Sequence, residues 1–400
     1  YFVGYGLVVP EHKYSDFEGL DLKGKIIVAI NGTPASLPGP LVSHYRTGRA
    51  AAPYLTNAGV AGAIGVANPR FMDVPWERSK LARVMPSMGL ADRSMQDGAK
   101  LQISLSLNPA SLDKLLEGSG HTTEELMALA SAGKPLPKFP LKGTLRSKVA
   151  VRTAEAEAPN VIGVMPGADP KLKDEYVVLL AHLDHVGVGA PINGDNIYNG
   201  AFDNASGVAT LIETARTMRG RKLARSVLFV AVCGEEKGLL GSRYFAERPT
   251  VTGGTLVAAL NLDMFLPLHA LDRLVVFGLD ESTLAAPIQT VAKEFQVAVE
   301  RDPEPNRNLF IRSDQYSFIR QGVPSLAFKF GYKPNSPEEK LHKDWLRNRY
   351  HAPSDDLQQP VDREAAAKFN QVMAALLERV ANAPERPEWT DTSFFRRFAK

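Results

Sequence analysis

Side chains of the types that bind metal ions or carry protons fall into five short segments of this sequence. The segments are AHLDH, GAFDNASG, CGEEKGLLGS, NLDMF and YHAPSDD, and the side chains are His182, Asp184, Asp203, Glu235, Glu236, Asp263 and His351. Imidazole and carboxylate groups together suit divalent ions of hard to borderline character, zinc among them. One carboxylate shared by two such ions holds them about 3.5–4 Å apart, the separation found in dinuclear hydrolases. Brought together, these side chains would form a hydrolytic centre with two metal ions.

Each segment taken alone has a simpler interpretation. The adjacent Glu235 and Glu236 are typical of the first turn of an exposed helix, where acidic side chains are favoured. Asp203 is typical of a helix N-cap, Asp263 of a turn after a strand, and His351 of an ordinary loop. The metal centre is favoured over these interpretations because all five segments belong to one alternating series of predicted strands and helices.

That pattern begins after residue 146, where continuous apolar strands alternate with helices. Strands are predicted at residues 161–164, 176–180, 227–232, 256–262, 274–277 and 325–330. Helices are predicted at residues 205–218, 239–247, 284–295 and 363–381. Continuous apolar strands separated by helices indicate an α/β fold with a mostly parallel mixed sheet between helices. Chemistry in such folds gathers at the carboxyl ends of the strands, where His182, Glu236 and Asp263 lie.

The N-terminal part has a different character and is predicted to form a smaller α+β domain. Its signals are a strand within residues 22–31, a helix and then a strand within 47–67, and short helices at 109–118 and 121–131. Residues 133–143 carry three prolines and two glycines, which is typical of a linker. Because 400 residues exceed one ordinary core, we predict domains at 1–145 and 146–385, followed by a C-terminal tail at 386–400.

The composition is that of a globular protein, with 44% hydrophobic and 23% charged residues and a net charge of +3. Because basic and acidic residues are nearly balanced, the sequence does not indicate the basic surface of a nucleic-acid-binding protein. No apolar run reaches the ~18 residues that a membrane span needs. Cys233 is the only cysteine, which excludes an intrachain disulfide and a cysteine-based metal site. Because the sequence starts at Tyr1 without a methionine, we expect a processed or truncated start.

In order and spacing, the five segments resemble the motifs of the dizinc aminopeptidase family that includes aminopeptidase Y, over residues 146–383. The resemblance implies a zinc exopeptidase fold, peptide substrates and two Zn²⁺ ions per chain. One ion would be bound by His182 and Asp263, the other by Glu236 and His351, and Asp203 would bridge them. It also implies a secreted or periplasmic location. The oligomeric state does not follow from these residues.

The resemblance further implies two roles next to the metal ligands, and the position of Tyr350 beside His351 suggests a third. Glu235 would be the general base that takes a proton from the metal-activated water. Asp184 would orient the ring of His182. Tyr350 is expected to donate to the developing oxyanion, with simple packing on the sheet edge as the alternative. His185 has no ligand place left in this scheme, so we interpret it as a hydrogen-bonded or surface histidine.

Residues 20–105 resemble the protease-associated domain that is often inserted in this family. The segments DLKGKIIVAI and NAGVAGAIGVAN carry this second resemblance. It implies a lid or docking surface and no chemistry of its own.

Which end of a peptide is cut depends on the charges around the metal ligands. The acidic centre favours an α-ammonium group and therefore an aminopeptidase, because an α-carboxylate would need Arg or Lys. The alternative is a carboxypeptidase, since the predicted loop before His351 contains cations, of which Arg349 is the candidate clamp. A dipeptidase, a glutaminyl-cyclase-like acyl transferase and a non-catalytic receptor-like scaffold on the same fold remain further alternatives.

Overall fold

The computed structural model describes residues 1–96, 98–251 and 253–400, which group into two compact units. The first unit comprises Tyr1–Ser79, Ala91–Ala156 and Glu304–Asn308. The second unit comprises Lys80–Leu90, Glu157–Pro303 and Leu309–Lys400. The first unit thus runs on past the predicted boundary at residue 145, through an exposed extended stretch without helix or strand.

The first unit contains a three-stranded parallel sheet flanked by short helices. Its strands are β1 (Val8–Val9), β2 (Tyr14–Ser15), β3 (Ile26–Ile30), β4 (Gly62–Val66) and β5 (Ile103–Leu107). Its helices are α1 (Gly39–Arg46), α2 (Gly48–Asn57), α3 (Trp76–Ser79), α4 (Asp113–Leu116) and α5 (Thr123–Ser131). Strands β3, β4 and β5 pair in chain order and in parallel, while β1 and β2 form an antiparallel pair. The strand predicted within 22–31 and the helix and strand predicted within 47–67 are confirmed.

The second unit is built on a seven-stranded mixed sheet. Its strands are β6 (Val161–Met165), β7 (Glu175–His182), β10 (Ser226–Val232), β11 (Thr255–Asn261), β12 (Arg273–Phe277), β13 (Ala298–Glu300) and β14 (Ser325–Phe330), and a separate hairpin consists of β8 (Gly187–Ile192) and β9 (Asp195–Tyr198). The spatial order is β13-β12-β14-β11-β7-β10-β6. Two neighbouring pairs, β6 with β10 and β12 with β14, are antiparallel, and the other pairs are parallel. The predicted α/β fold with a mostly parallel mixed sheet is confirmed.

Helices cover both faces of this sheet. They are α6 (Ser206–Met218), α7 (Leu240–Glu247), α8 (Ala285–Glu294), α9 (Gln315–Ile319), α10 (Pro337–Asn348) and α11 (Arg363–Asn382). One apolar cluster joins the sheet to α6, α8 and α11, and another joins it to α7 and α9. No helix in the described part of the chain is long and apolar enough to cross a bilayer.

The cation-rich segment before His351 is helical, so the loop predicted there was wrong. Helix α10 begins at Pro337, and the preceding Ser336 side chain caps it by accepting the Glu339 N–H at 3.2 Å. Trp345 anchors the helix with only 3% of its surface exposed. The charged residues that suggested a loop instead occupy the outer face of an amphipathic helix.

The C-terminal residues 386–400 are part of the second unit and pack into it, so the predicted tail is also wrong. Trp389 and Phe395 are 7% and 1% exposed and join a cluster with Ile311, Tyr316 and Ile319. The indole N–H of Trp389 donates to the carbonyl oxygen of Gly322 at 2.9 Å. Aromatic side chains of this size drive burial even in a segment with little regular structure.

We expect Phe369→Ala to lower the free energy of unfolding by about 3–5 kcal/mol, because a fully buried ring leaves a cavity. The ring is 0% exposed and stacks on Phe265 with their centroids 4.1 Å apart. Urea unfolding followed by circular dichroism measures the change. Leu357→Ala is the control, since Leu357 is 90% exposed, and we expect no more than about 0.5 kcal/mol. Equal effects of the two substitutions would contradict the predicted core position.

Candidate metal centre

Three neighbouring parallel strands deliver candidate ligands to one edge of the sheet. Strand β7 lies between β11 and β10, and all three run in the same direction. His182 is the last residue of β7, Asp263 follows β11, and Glu235 and Glu236 lie in the 3₁₀ turn that follows β10. The fold therefore brings residues that are far apart in sequence to one place.

Asp203 reaches the same place from the irregular turn Ala201–Ala205, which precedes α6. The carboxylate of Asp355 fixes this turn, since it accepts the N–H of Phe202 at 2.9 Å and that of Asp203 at 3.0 Å. Asp355 is fully buried. The peptide bond between Asp203 and Asn204 is cis.

The Asn204 side chain ties this turn to the end of β11. Its Nδ2 donates to the carbonyl oxygen of Leu262 at 2.8 Å. Its Oδ1 accepts the N–H of Gly207 at 3.1 Å and that of Met264 at 3.2 Å. Main-chain and side-chain hydrogen bonds thus set the position of Asp203 relative to Asp263, independently of any bound ion.

A first group of potential ligands surrounds Nε2 of His182. That atom lies 3.2 Å from Oδ1 of Asp203 and 3.4 Å from Oδ1 of Asp263. The other oxygen of Asp263 accepts a hydrogen bond from the Ser313 hydroxyl at 2.5 Å, and Ser313 accepts one from Asn261 at 2.9 Å. Ligand atoms at 2.0–2.2 Å from a tetrahedral zinc ion are about 3.3–3.6 Å apart. The separations around His182 match such an ion.

A second group lies around the other oxygen of Asp203. Nε2 of His351 lies 3.4 Å from Oδ2 of Asp203 and 3.1 Å from Oε2 of Glu236. Asp203 thus points one oxygen at each group, which is the arrangement of a bridging carboxylate. The structure brings together all five side chains that the sequence predicts as metal ligands.

Buried polar atoms without hydrogen-bond partners indicate that these groups fit cations. Nε2 of His182 and Oε1 of Glu236 are both buried without such a partner. Leaving a buried donor or acceptor unsatisfied costs about 1–3 kcal/mol, and a divalent ion between the side chains would remove that cost. The donor set of imidazole nitrogens and carboxylate oxygens is one that zinc accepts.

The histidine and carboxylate side chains in the two groups shift each other's pKa in opposite directions. Burial lowers the pKa of His351, but the charges of Glu236 and Asp203 outweigh it and raise the pKa to about 10. Burial and Glu236 would raise the pKa of Asp203, yet its contacts with His182 and His351 lower it to about 2. A metal ion must displace the protons on the imidazoles, so its apparent affinity falls as the pH falls.

Glu235 lies beside the ligands without belonging to either group, as far as the described residues show. Burial raises the pKa of Glu235 well above its usual range; His182 opposes this shift, and the charges of Asp263 and Asp314 add to it. A carboxylate with a raised pKa binds a proton readily, which is the property that a general base needs.

Asp184 contacts His182 through its main chain rather than through its carboxylate. Nδ1 of His182 lies 2.8 Å from the carbonyl oxygen of Asp184. The Asp184 carboxylate instead accepts the N–H of Gly234 at 2.7 Å, directly before Glu235 and Glu236. The contact with the His182 ring is thus made by the Asp184 carbonyl oxygen, and the orienting role of Asp184 stays a prediction. Its carboxylate in addition positions the turn that holds the glutamates.

Tyr350 and Arg349 lie in the loop between α10 and His351. The ring of Tyr350 packs against His351 with their centroids 4.0 Å apart, and against Trp345 at 6.1 Å. Its role as an oxyanion donor stays a prediction. The guanidinium of Arg349 donates to the carbonyl oxygen of Ser354 and so holds this loop, which leaves it poorly placed to clamp a substrate carboxylate.

Sequence reasoning missed two residues of this centre, Asp355 and His185. Asp355 was available as the acid four residues after His351 within YHAPSDD, but nothing in the sequence showed that it would bond to the Asp203 turn. His185 was interpreted as hydrogen-bonded or exposed, yet its side chain is 5% exposed and lies with Asp203 and Glu236 in the second group. The sequence feature that could have identified His185 is its position directly after His182-Leu183-Asp184, at the end of β7.

A family model described as peptidase family M28 matches residues 160–377, which is more than half of the chain. A probable zinc metalloprotease of Pyrenophora teres f. teres (strain 0-1) is 28% identical over 240 residues, covering 57% of this chain and 49% of that protein. Leucine aminopeptidase 1 of Trichophyton rubrum is 35% identical over 111 residues, covering 26% of this chain and 28% of that protein. The chain spans about half the length of the first of these relatives.

Among solved structures, the aminopeptidase from Aneurinibacillus sp. strain AM-1 is similar over 96% of this chain and 74% of its own. The TM-score is 0.50 and the sequence identity 19%. At this identity the likeness shows the fold alone.

Proposed function

The chain belongs to peptidase family M28, and from this premise we propose that it is an aminopeptidase that uses two zinc ions. The observation that carries the proposal is the position of Asp203, with Oδ1 3.2 Å from Nε2 of His182 and Oδ2 3.4 Å from Nε2 of His351. The names of the relatives, a probable zinc metalloprotease and a leucine aminopeptidase, support both the metal and the activity.

In the proposed mechanism, different residues of this chain have different roles in peptide hydrolysis. Two bound cations would supply the Lewis acidity that activates water near neutral pH and polarises the scissile carbonyl. Glu235 takes the proton of the attacking water and delivers it to the leaving amine, because it is buried beside the ligands and free of them. Asp184 keeps Glu235 in place through the hydrogen bond to Gly234. Tyr350 is the proposed donor to the developing negative charge on the carbonyl oxygen.

The charges around the centre support recognition of an N-terminal ammonium group. The carboxylates at the strand ends attract a cation, while nearby basic groups already have partners. On α10, Lys340 pairs with Asp344 and Lys343 pairs with Glu339, each at 2.6 Å. Arg349 is bonded to a main-chain carbonyl. A substrate carboxylate would therefore meet repulsion from the acids, and these three basic groups are engaged elsewhere.

The first unit is proposed to be a protease-associated domain that docks or covers substrates. Its three-stranded parallel sheet, with β3 and the small-residue strand β4, supports this reading. It supplies none of the metal ligands proposed above.

Three forms of one leucine-initiated peptide test which end is cut: free, N-acetylated and C-amidated. We expect the free and amidated forms to be hydrolysed at similar rates, and acetylation to reduce kcat/KM by about 100-fold or more, since it removes the ammonium charge. Mass spectrometry of the products identifies the released residue. Pre-treatment with a chelator is the control for metal dependence. Loss of activity on amidation with tolerance of acetylation would instead establish a carboxypeptidase.

A further inference from the structure

We infer that His185 is a ligand of the second metal position, together with Asp203, Glu236 and His351. The inference rests on the proposed two-metal centre and adds one side chain to it. It assigns a function to a histidine that the five motifs leave unused.

The separations around His185 are those of a ligand. Its Nδ1 lies 2.9 Å from Oε1 of Glu236 and 3.7 Å from Oδ2 of Asp203. The corresponding distances from Nε2 of His351 are 3.1 Å to Glu236 and 3.4 Å to Asp203. Both histidines thus approach the same two carboxylates from different directions. Ligand atoms of His185, Asp203 and Glu236 lie within 4.8 Å of one another, and His351 adjoins the same two carboxylates.

The atoms around His185 are close without being hydrogen bonded. Nδ1 and Nε2 of His185 are buried without a hydrogen-bond partner, and so is Oε1 of Glu236. The ring N–H direction therefore does not point at the nearest oxygen, although only 2.9 Å separates the atoms. His182 shows the same pattern at its own position, where Nε2 faces two carboxylates and is likewise without a partner. Two polar atoms that approach in this way are typical of ligands that share an ion.

A glycine next to the His185 imidazole leaves the space that the ring occupies. Gly200 has a φ of 67°, and a Cβ added there would lie 2.6 Å from Cγ of His185 and would also meet the main-chain oxygen of Asp203. Any side chain at position 200 would therefore displace the ring. The ring also makes an edge contact with His351, with their centroids 5.6 Å apart. A glycine that makes room for a buried ring beside two acids indicates a fixed role for that ring.

The competing role for His185 is a hydrogen bond that orients Glu236 without contact to the ion. Two substitutions of similar size separate these roles. In His185→Asp, a carboxylate oxygen reaches about as far as Nδ1 and binds metal, but it cannot donate to Glu236. In His185→Asn, the amide donates to Glu236 but is a poor ligand for zinc.

The test is a zinc titration of the full chain after removal of metal, with a competing chelator to reach high affinities. We expect His185→Asn to raise the dissociation constant of one of the two ions by about tenfold or more, and His185→Asp to stay within about threefold of the unmodified protein. His12→Asn is the matched control, because His12 is exposed. Circular dichroism without metal establishes that each variant is folded.

Three results would overturn the inference, and a fourth would overturn the proposed function. Retention of affinity by the Asn variant with loss in the Asp variant would establish the orienting hydrogen bond instead. Unchanged affinity in both variants would remove His185 from the centre. If the unmodified protein bound fewer than two ions, the proposed function itself would fail. X-ray absorption of the unmodified dizinc protein needs no variant: we expect three imidazoles shared by the two ions, and two imidazoles would exclude His185.

Discussion

Glu235→Gln is expected to slow peptide hydrolysis by about 10²–10⁴-fold while both metal ions stay bound. A positioned general base contributes a factor of this size, and glutamine keeps the shape of glutamate but cannot accept a proton. Glu235 is outside both ligand groups of the described residues, so its loss removes no ligand. Steady-state kinetics on the free peptide and metal analysis of the same sample measure the two quantities. The fall should be in kcat rather than in KM.

Glu236→Gln is the matched control for this prediction, because the two glutamates are neighbours in the same turn. Oε2 of Glu236 lies 3.1 Å from Nε2 of His351, so its neutralisation should weaken the binding of one ion. The pair therefore separates proton transfer from metal binding. If Glu235→Gln lost an ion and Glu236→Gln kept both, the roles of the two residues would be exchanged.

The framework of the centre was accessible from the sequence because parallel strands obey a simple geometric rule. Strands β7, β10 and β11 were predictable from their continuous apolar runs, and their carboxyl ends must share one edge. His182, Glu236 and Asp263 follow those ends directly. For Asp203 and His351 the approach to the same edge was implied by the resemblance, and the structure shows both there.

The two parts of the fold that were predicted wrongly failed for different reasons. Helix α10 is charged at six of its twelve positions, and its start carries a local signal, the cap Ser336 followed by Pro337 and by Glu339 three residues after the cap. The segment 386–400 was predicted as a tail because it has few regular-structure signals, yet Trp389 and Phe395 pack into an apolar cluster. Tertiary burial outweighs local preference in segment 386–400, whereas in α10 the local preference itself favours a helix.

The supporting hydrogen bonds around the centre were also beyond the sequence. Asp184 was predicted to orient the His182 ring, but the sequence could not show that its carbonyl oxygen contacts the ring while its carboxylate accepts the N–H of Gly234. The main-chain path over a few residues decides whether the carboxylate or the carbonyl oxygen of a residue contacts a neighbouring ring. His185 was set aside because the motif assigned every ligand place to another residue. The secreted or periplasmic location stays a prediction.

Asp203→Ala is expected to abolish activity and to weaken the binding of both ions at once. Its two oxygens face different imidazoles, at 3.2 Å from His182 and 3.4 Å from His351, so one side chain serves both positions. Zinc at a thousand times its dissociation constant stabilises a folded protein by about 4 kcal/mol. We expect most of that stabilisation to disappear in the variant. Thermal unfolding with and without zinc, together with metal analysis, measures the loss.

The main chain around Asp203 should stay in place in this variant, which makes the result interpretable. The hydrogen bonds that fix the turn run from the N–H groups of Phe202 and Asp203 to Asp355, and none involves the Asp203 carboxylate. Asp203→Asn keeps one carbonyl oxygen and should retain one ion better than the other. Without zinc, both variants should unfold at a lower temperature than the metal-free unmodified protein, because His182 and His351 lose a buried carboxylate partner. The stabilisation by zinc is therefore measured for each protein against its own metal-free form. If Asp203→Ala bound two ions with unchanged affinity, the bridge would not exist, and the two groups would be independent sites.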